Sequence, residues 1–275
     1  MARPVMTLRL LISDIDGTLV RHDKTLSDGV VAAVKRARDG GLAVSLISAR
    51  PPSGMMWIAE RLGLDQPLGA FNGATIVQPD GTIVSAEHLD PEVAARTLEL
   101  LDQPGVTPWL FADGVWYAQT LENDNVPRER LAANVEPVIR NDFTDLIVRA
   151  DKIVGVSDDH DALAELETKV AAELSDSATV VRSQPYYLDV TALHGNKGAG
   201  VTALAAAYEV PLDQVAVLGD QNNDLAMFKV AAYSVAMGQA PDNVRAAASD
   251  VAASNEDDGV ADAIDRFILP RLVTA

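Results

Sequence analysis

The run Leu8–Ser13 (LRLLIS) has the length and bounds of a buried strand, and it ends directly on Asp14-Ile15-Asp16-Gly17-Thr18. A strand that is apolar on both faces belongs in a parallel sheet with helices packed against it. The remaining chain must then supply crossover helices and further strands of the same kind. Ser27 is placed to cap a helix over Asp28–Asp39, with Val30, Val31, Val34 and Ala37 on one face and Gly40-Gly41 as its stop. Ala43–Ile47 reads as a second buried strand, followed by Ser48-Ala49-Arg50-Pro51-Pro52 and a helix that Gly63 ends after Leu62. Phe71-Asn72-Gly73-Ala74 leads into Thr75–Val77, and Pro79-Asp80-Gly81 turns a hairpin into Thr82–Ser85.

The alternation returns near the C-terminus. A helix over Ala199–Tyr208, a strand Val215–Leu218, a helix from Asp224, a strand Tyr233–Ala236 and a helix from Asp242 follow one another. Between the two α/β stretches the pattern changes to aromatic strand-like pieces (Trp109–Phe111, Val115–Gln119, Ile153–Ser157, Thr179–Arg182, Tyr186–Val190) and two amphipathic helices near Pro91–Leu101 and Ala162–Leu174. The expected fold is α/β: a Rossmann-like open parallel sheet from residues 1–85 and 189–275, interrupted by an α+β insert at residues 86–188.

Charge and composition limit the chemistry. The chain has 22 Lys+Arg against 40 Asp+Glu, a net charge of −18, which argues against a nucleic-acid partner because gripping phosphate backbones needs a basic surface. There is no cysteine, and the four histidines (His22, His88, His160, His194) lie far apart, so a metal would have to be held by oxygen. No apolar run approaches roughly 18 residues, and Met1–Ile12 carries Arg3 and Arg9 without an unbroken apolar stretch. These features predict a cytoplasmic protein without a membrane partner.

In an open parallel sheet, ligands bind beyond the C-terminal ends of the strands. The predicted strand ends offer Asp14 and Asp16, then Ser48, then Asn72, and finally Asp220 with Asn222, Asn223 and Asp224. Four carboxylates at one mouth repel one another, at about 4 kcal/mol per pair 4 Å apart in an effective dielectric of 20. A cation is needed, and all-oxygen ligation selects a hard one; Mg²⁺ fits, since it leaves positions for water and phosphate. Lys197, in Gly195-Asn196-Lys197-Gly198 ahead of a helix, adds a positive charge for an anion. Taken singly, each residue has a plainer reading: Ser48 as a helix cap, Asn72-Gly73 as turn chemistry, Lys197 as a solvated surface charge. Their joint order favours a phosphate-handling site.

In that order and at those distances, the motifs resemble those of the haloacid dehalogenase superfamily, within it the Cof-like, subfamily IIB group. Asp14-Ile15-Asp16-Gly17-Thr18 is similar to its first motif, Ser48 to its second, Lys197 to its third, and Gly219-Asp220 through Asn223-Asp224 to its fourth. Ser48-Ala49-Arg50 stands where the family often has Thr-Gly-Arg, a change that keeps the hydroxyl and the backbone N–H.

The resemblance implies a Mg²⁺-dependent phosphatase with an inserted cap of the C2B type. Asp14 would attack phosphorus to give an aspartyl-phosphate, and Asp16 would hold a proton for the leaving alcohol and then activate water. Asp14, the Asp16 carbonyl and Asp220, supported by Asp224, would hold the metal. Ser48, the Ala49 amide, Lys197 and Asn223 would hold the phosphoryl oxygens, with further substrate contacts expected at Arg50, Asn72 and Asn196. The cap would choose the substrate, a small phosphorylated metabolite such as a sugar phosphate. Its candidate contacts are Trp109, Trp116, Tyr117, Arg182, Tyr186, Tyr187 and Asp189, each equally readable as cap core. A monomer or homodimer is expected. A phosphomutase of the same superfamily and a non-catalytic phosphate-ligand sensor are the competing readings.

Overall fold

Strand β1 (Leu10–Ser13) is buried along its whole length, as an apolar run with no polar face must be. The computed structural model describes residues 7–272; the Arg3 reading and the outermost ends of the expected core segments, residues 1–6 and 273–275, lie outside the described residues. Helix α1 (Asp28–Asp39) starts where Ser27 Oγ accepts from the Val30 N–H at 3.1 Å, and it buries Val30, Ala33, Val34 and Ala37. Strand β2 (Ala43–Leu46) and helix α2 (Ser53–Leu62) follow, the latter closed by Gly63 in the left-handed conformation. Strands β3 (Leu68–Ala70), β4 (Thr75–Val77) and β5 (Ile83–Ala86) form a small antiparallel sheet, tied to the end of β2 by an Ile47–Gly69 bridge.

The insert comprises α3 (Pro91–Leu101), β6 (Thr107–Ala112), β7 (Val115–Ala118), α4 (Val126–Ala133), β8 (Val138–Ile139), β9 (Ala150–Val156), α5 (His160–Leu174), β10 (Ala178–Gln184) and β11 (Tyr187–Ala192). Its six strands form one sheet in the order β10-β11-β9-β6-β7-β8. Period-two alternation divides the two faces. Leu110, Ile153, Leu188 and Val190 pack with Leu100, Leu101, Leu163 and Val170 of α3 and α5. Trp109, Phe111, Val154, Val156 and Tyr187 pack on the opposite face with residues of the β1–β2 region. Lys152 and Asp189 also lie at alternate positions of that second face, both buried.

The chain then returns through α6 (Lys197–Ala207), β12 (Val215–Gly219), α7 (Leu225–Val230), β13 (Tyr233–Ala236), α8 (Asp242–Ala247), β14 (Asp250–Val251) and α9 (Gly259–Ala263). The main sheet is fully parallel, in the order β14-β13-β12-β1-β2. Ser13 is in register with Leu46 on one side and Leu218 on the other, so the ends of β1, β2 and β12 open at one level. Among the described residues no helix is long and apolar enough to cross a membrane.

The α/β class agrees with expectation, and details of the insert differ. β11 runs to Ala192 and pairs with β9 and β10, so a boundary at 188/189 falls inside a strand. The chain crosses into the insert between Glu87, whose N–H donates to the Ala74 carbonyl, and Leu89, whose N–H donates to the Ala150 carbonyl. Helix α4 was not expected, because its eight residues lack a clean apolar stripe; Pro127 in its first turn was the available sign.

Candidate functional site

The β1 end presents Asp14, buried to 3% exposure, and the β12 end presents Asp220. Asp224 completes a turn that follows β12; its Oδ2 accepts from the Asp220 and Gln221 N–H groups at 2.7 and 2.8 Å. Carboxylate oxygens of Asp14, Asp220 and Asp224 lie within 4.8 Å of one another. Lys197, the first residue of α6, reaches into this cluster, with Nζ 2.5 Å from Asp14 Oδ1 and 2.6 Å from Asp224 Oδ1. It is fully buried, so its reading as a solvated surface charge is excluded.

Three buried carboxylates against one ammonium leave excess negative charge. Burial pushes the Asp14 carboxyl up to about 7 although Lys197 pulls it back, and burial next to Asp14 and Asp224 holds Asp220 well above the ordinary carboxylate range. The Lys197 ammonium is held in its charged form despite burial by Asp14 and Asp224. A hard cation beside the triad would offset the excess, and the donors are all oxygen. Asp224 already accepts from Lys197 and two backbone amides, which fits it to support the site more than to ligate. Gly17 permits the close packing: its φ is +83°, and a Cβ there would lie 2.4 Å from Asp220 Oδ2.

Asp16 agrees with expectation in being turned from the metal-ligand carboxylates and differs in its partners. Its carboxylate faces away from the triad and is clamped by Arg50, with Nε to Oδ2 at 2.7 Å and Nη2 to Oδ1 at 2.8 Å, and by Lys24 Nζ at 2.7 Å. Burial alone would raise its pKa, but the guanidinium and the ammonium outweigh that and hold it far below the ordinary range. Arg50 and Lys24 thus favour the carboxylate over the protonated form that the resemblance implies.

The β2 end supplies Ser48, Ala49 and Arg50, which line a cavity of ≈ 40 Å³ together with Asp14, Asp16, Lys197 and Asn223. Ser48 Oγ accepts from the Arg50 N–H at 3.2 Å, so it organises its own loop and does not cap α2. Asn72 and Asn196 do not line the cavity. Asn196 caps α6 by accepting from the Gly198 and Ala199 amides, which fixes where Lys197 enters. Asn72 has a φ of +57° and bridges Asn223, which donates to its Oδ1 at 3.2 Å, and Asp189 at 3.4 Å. Both asparagines are tied to residues of the site, Asn196 at the start of α6 and Asn72 to Asn223.

The insert supplies the cavity roof. Of its expected contacts, Tyr186 and Tyr187 line the cavity, whereas Trp109 and Trp116 are fully buried against each other with centroids 4.8 Å apart. Arg182 is paired with Glu167 of α5, Tyr117 lies under Arg140, and Asp189 is buried beneath the lining next to Lys152 at 3.8 Å. Residues missed in the sequence are Lys24, Arg128, Glu129, Lys152, Ser183, Gln184 and Gln221. Lys152 was legible in principle as a charge within an otherwise apolar strand. It crosses to the main sheet side and donates to the Ala49 carbonyl at 2.9 Å.

The fold and the site define an α/β enzyme whose acid and lysine cluster sits at the strand ends under an α+β roof. Residues 11–264 match the haloacid dehalogenase-like hydrolases, and the chain belongs to that family. It is similar to an HMP-PP phosphatase of Cronobacter sakazakii, with 30% identity over 84% of this chain and 85% of the relative. It is also similar to a pyridoxal phosphate phosphatase of Escherichia coli, with 26% identity over 98% of this chain and all of the relative. In fold it resembles the structure of a HAD subclass IIB sugar phosphatase, with a TM-score of 0.80, 23% identity, and coverage of 94% of this chain and 98% of the other.

Proposed function

We propose that the chain is a Mg²⁺-dependent phosphatase that hydrolyses small phosphomonoesters through an aspartyl-phosphate on Asp14. The observation that carries this reading is the buried Asp14, Asp220 and Asp224 triad, short of one cation, whose Asp14 lines a cavity together with Lys197 and the Ser48–Arg50 loop. Asp14 and Asp220, with the Asp16 carbonyl, would hold Mg²⁺, which when bound supplies charge to shield the nucleophile and the incoming phosphate from each other. Asp14 attacks phosphorus as a carboxylate, a form that its pKa of about 7 only half supplies without a cation. Lys197, Ser48 and the Ala49 amide take the phosphoryl oxygens, and Asn223 is set beside them through Asn72.

Asp16, ionised by Arg50 and Lys24, is set to take a proton from water in the second step. In the first step it must donate one, so the leaving group has to loosen Arg50 or Lys24 as it enters. The insert acts as a cap, crossing from the core near 87–90 and 193–196, and it encloses the leaving group away from water. Ser53 Oγ on α2 donates to the Ala133 carbonyl at 2.7 Å, one of the contacts that hold the cap down.

A cavity roofed by the insert suits small metabolites such as sugar phosphates better than a phosphoprotein loop. A cytoplasmic enzyme with no nucleic-acid or membrane partner, monomeric or homodimeric, accords with the acidic, cysteine-free chain. The phosphomutase reading is not favoured: Arg128 and Lys152 reach the cavity from the cap, but Arg128 donates to Asn125 Oδ1 and Lys152 to the Ala49 carbonyl. The retained pair of acids likewise counts against a pure sensor. Asp14→Asn is expected to abolish hydrolysis of p-nitrophenyl phosphate, and turnover near the wild-type rate would overturn the nucleophile.

A further inference from the structure

Helix α4 puts Arg128 and Glu129 against the cavity, on the side of Asp16 and Arg50. Every other charged side chain lining that cavity has a partner. Asp14 pairs with Lys197, Asp16 with Arg50 and Lys24, Arg128 with Asn125, and Lys152 with the Ala49 carbonyl. Glu129 is only 5% exposed, yet among the described residues it accepts no well-formed hydrogen bond and meets no cation in ion-pair range. The one side-chain donor beside it is the Tyr187 hydroxyl, which is shared with the Asn125 carbonyl at 3.4 Å. A buried carboxylate with no cation and no more than a shared tyrosine hydroxyl is costly to keep, and an apolar residue on this helix face would avoid that cost.

We infer that Glu129 is a specificity-determining residue whose carboxylate accepts hydrogen bonds from the leaving alcohol of the substrate. The leaving group would then carry a hydroxyl or N–H donor on the side away from the phosphate. This inference rests on the phosphatase reading above. Asp16 protonates the departing oxygen next to Glu129, so a donor held there also sets the leaving group against the acid. A leaving group without a donor leaves the carboxylate unpaired, and a second anion in its place meets repulsion. Burial raises the Glu129 carboxyl and Lys152 draws it back, in keeping with a group that waits for a donor.

The test compares matched phosphates: glucose 6-phosphate with cyclohexylmethyl phosphate, and a 4-aminopyrimidinylmethyl phosphate with benzyl phosphate. The wild-type enzyme with Mg²⁺ is expected to prefer the donor-bearing member of at least one pair by about tenfold or more in kcat/KM. Glu129→Ala should cut that preference by about tenfold, mainly through KM, and Glu129→Gln by less, because its amide oxygen still accepts. Absence of any donor preference in the wild type, or an unchanged preference in both variants, would overturn the inference. Since the readout is a ratio, a uniform loss from misfolding does not mimic the effect, and Glu129→Gln keeps the side-chain volume if Glu129→Ala is unstable. Failure of the phosphatase reading is distinguishable, because it shows as no turnover of any of the four phosphates by the wild type, whereas loss of the donor preference shows as a changed ratio.

Discussion

At the residue scale, the arrangement turns on charges brought out of water and balanced one against another. Lys197 cannot neutralise Asp14, Asp220 and Asp224 together, and the Asp14 pKa of about 7 is the consequence. Because the folded pKa lies above the ordinary 3.8, the metal-free fold holds a proton that the unfolded chain releases. The contribution of Asp14 to stability is thus present below about pH 4 and lost as pH rises through about 7. Mg²⁺ binds the ionised form, so its stabilisation should grow over that window. Thermal melts with Mg²⁺ or EDTA are expected to diverge increasingly between pH 4 and pH 7.5, with hydrolysis lost in EDTA and restored by added Mg²⁺. A constant gap, or full turnover in EDTA, would contradict the ligand set. At this scale the sequence was informative about type and silent about state. The positions of Asp14, Asp16, Asp220 and Lys197 follow from strand ends, whereas the ionisation of Asp16 depends on Arg50 and Lys24, whose approach no local pattern reveals.

At the element scale, strands were easier to read than the pieces that join the two layers. β1, β2, β12 and β13 are short apolar runs bounded by turn residues, and such runs have few alternatives. Helix α4 has no such pattern, because it packs its carbonyl end against α2 and not an apolar stripe against a sheet. That contact explains Gly54: a Cβ there would lie 2.1 Å from the Ala132 carbonyl oxygen, a backbone atom, so α4 itself would have to move to admit it. Gly54→Ala should gain up to about 1 kcal/mol of intrinsic helix propensity in α2 and yet lift α4 from its seat. We expect kcat/KM to fall about tenfold or more, with little loss in thermal stability, and limited proteolysis near 87–90 and 193–196 to accelerate. Wild-type kinetics in Gly54→Ala would mean that α4 does not need this seat for turnover.

At the scale of the whole molecule, a net charge of −18 and a phosphate-binding reading are compatible because the site makes its own field. Lys197, Arg50 and Lys24 converge on the strand ends, most acids lie elsewhere, and the insert roofs the cavity, with Lys152 donating to the Ala49 carbonyl. The parallel core and the insert were both legible from the alternation of patterns. The exact crossing was not, since β11 looks like the start of the core until its pairing with β9 is known. The central claim is that phosphorus passes through Asp14. The most direct measurement is acid quench of Asp16→Asn, a variant slowed in breakdown of the intermediate, during turnover of p-nitrophenyl phosphate with Mg²⁺, followed by peptide mass analysis. The account predicts a phosphoryl group on the peptide carrying Asp14 that is absent from the Asp14→Asn protein. A burst of p-nitrophenol with no phosphorylated peptide, or a phosphoryl group on another residue, would contradict it.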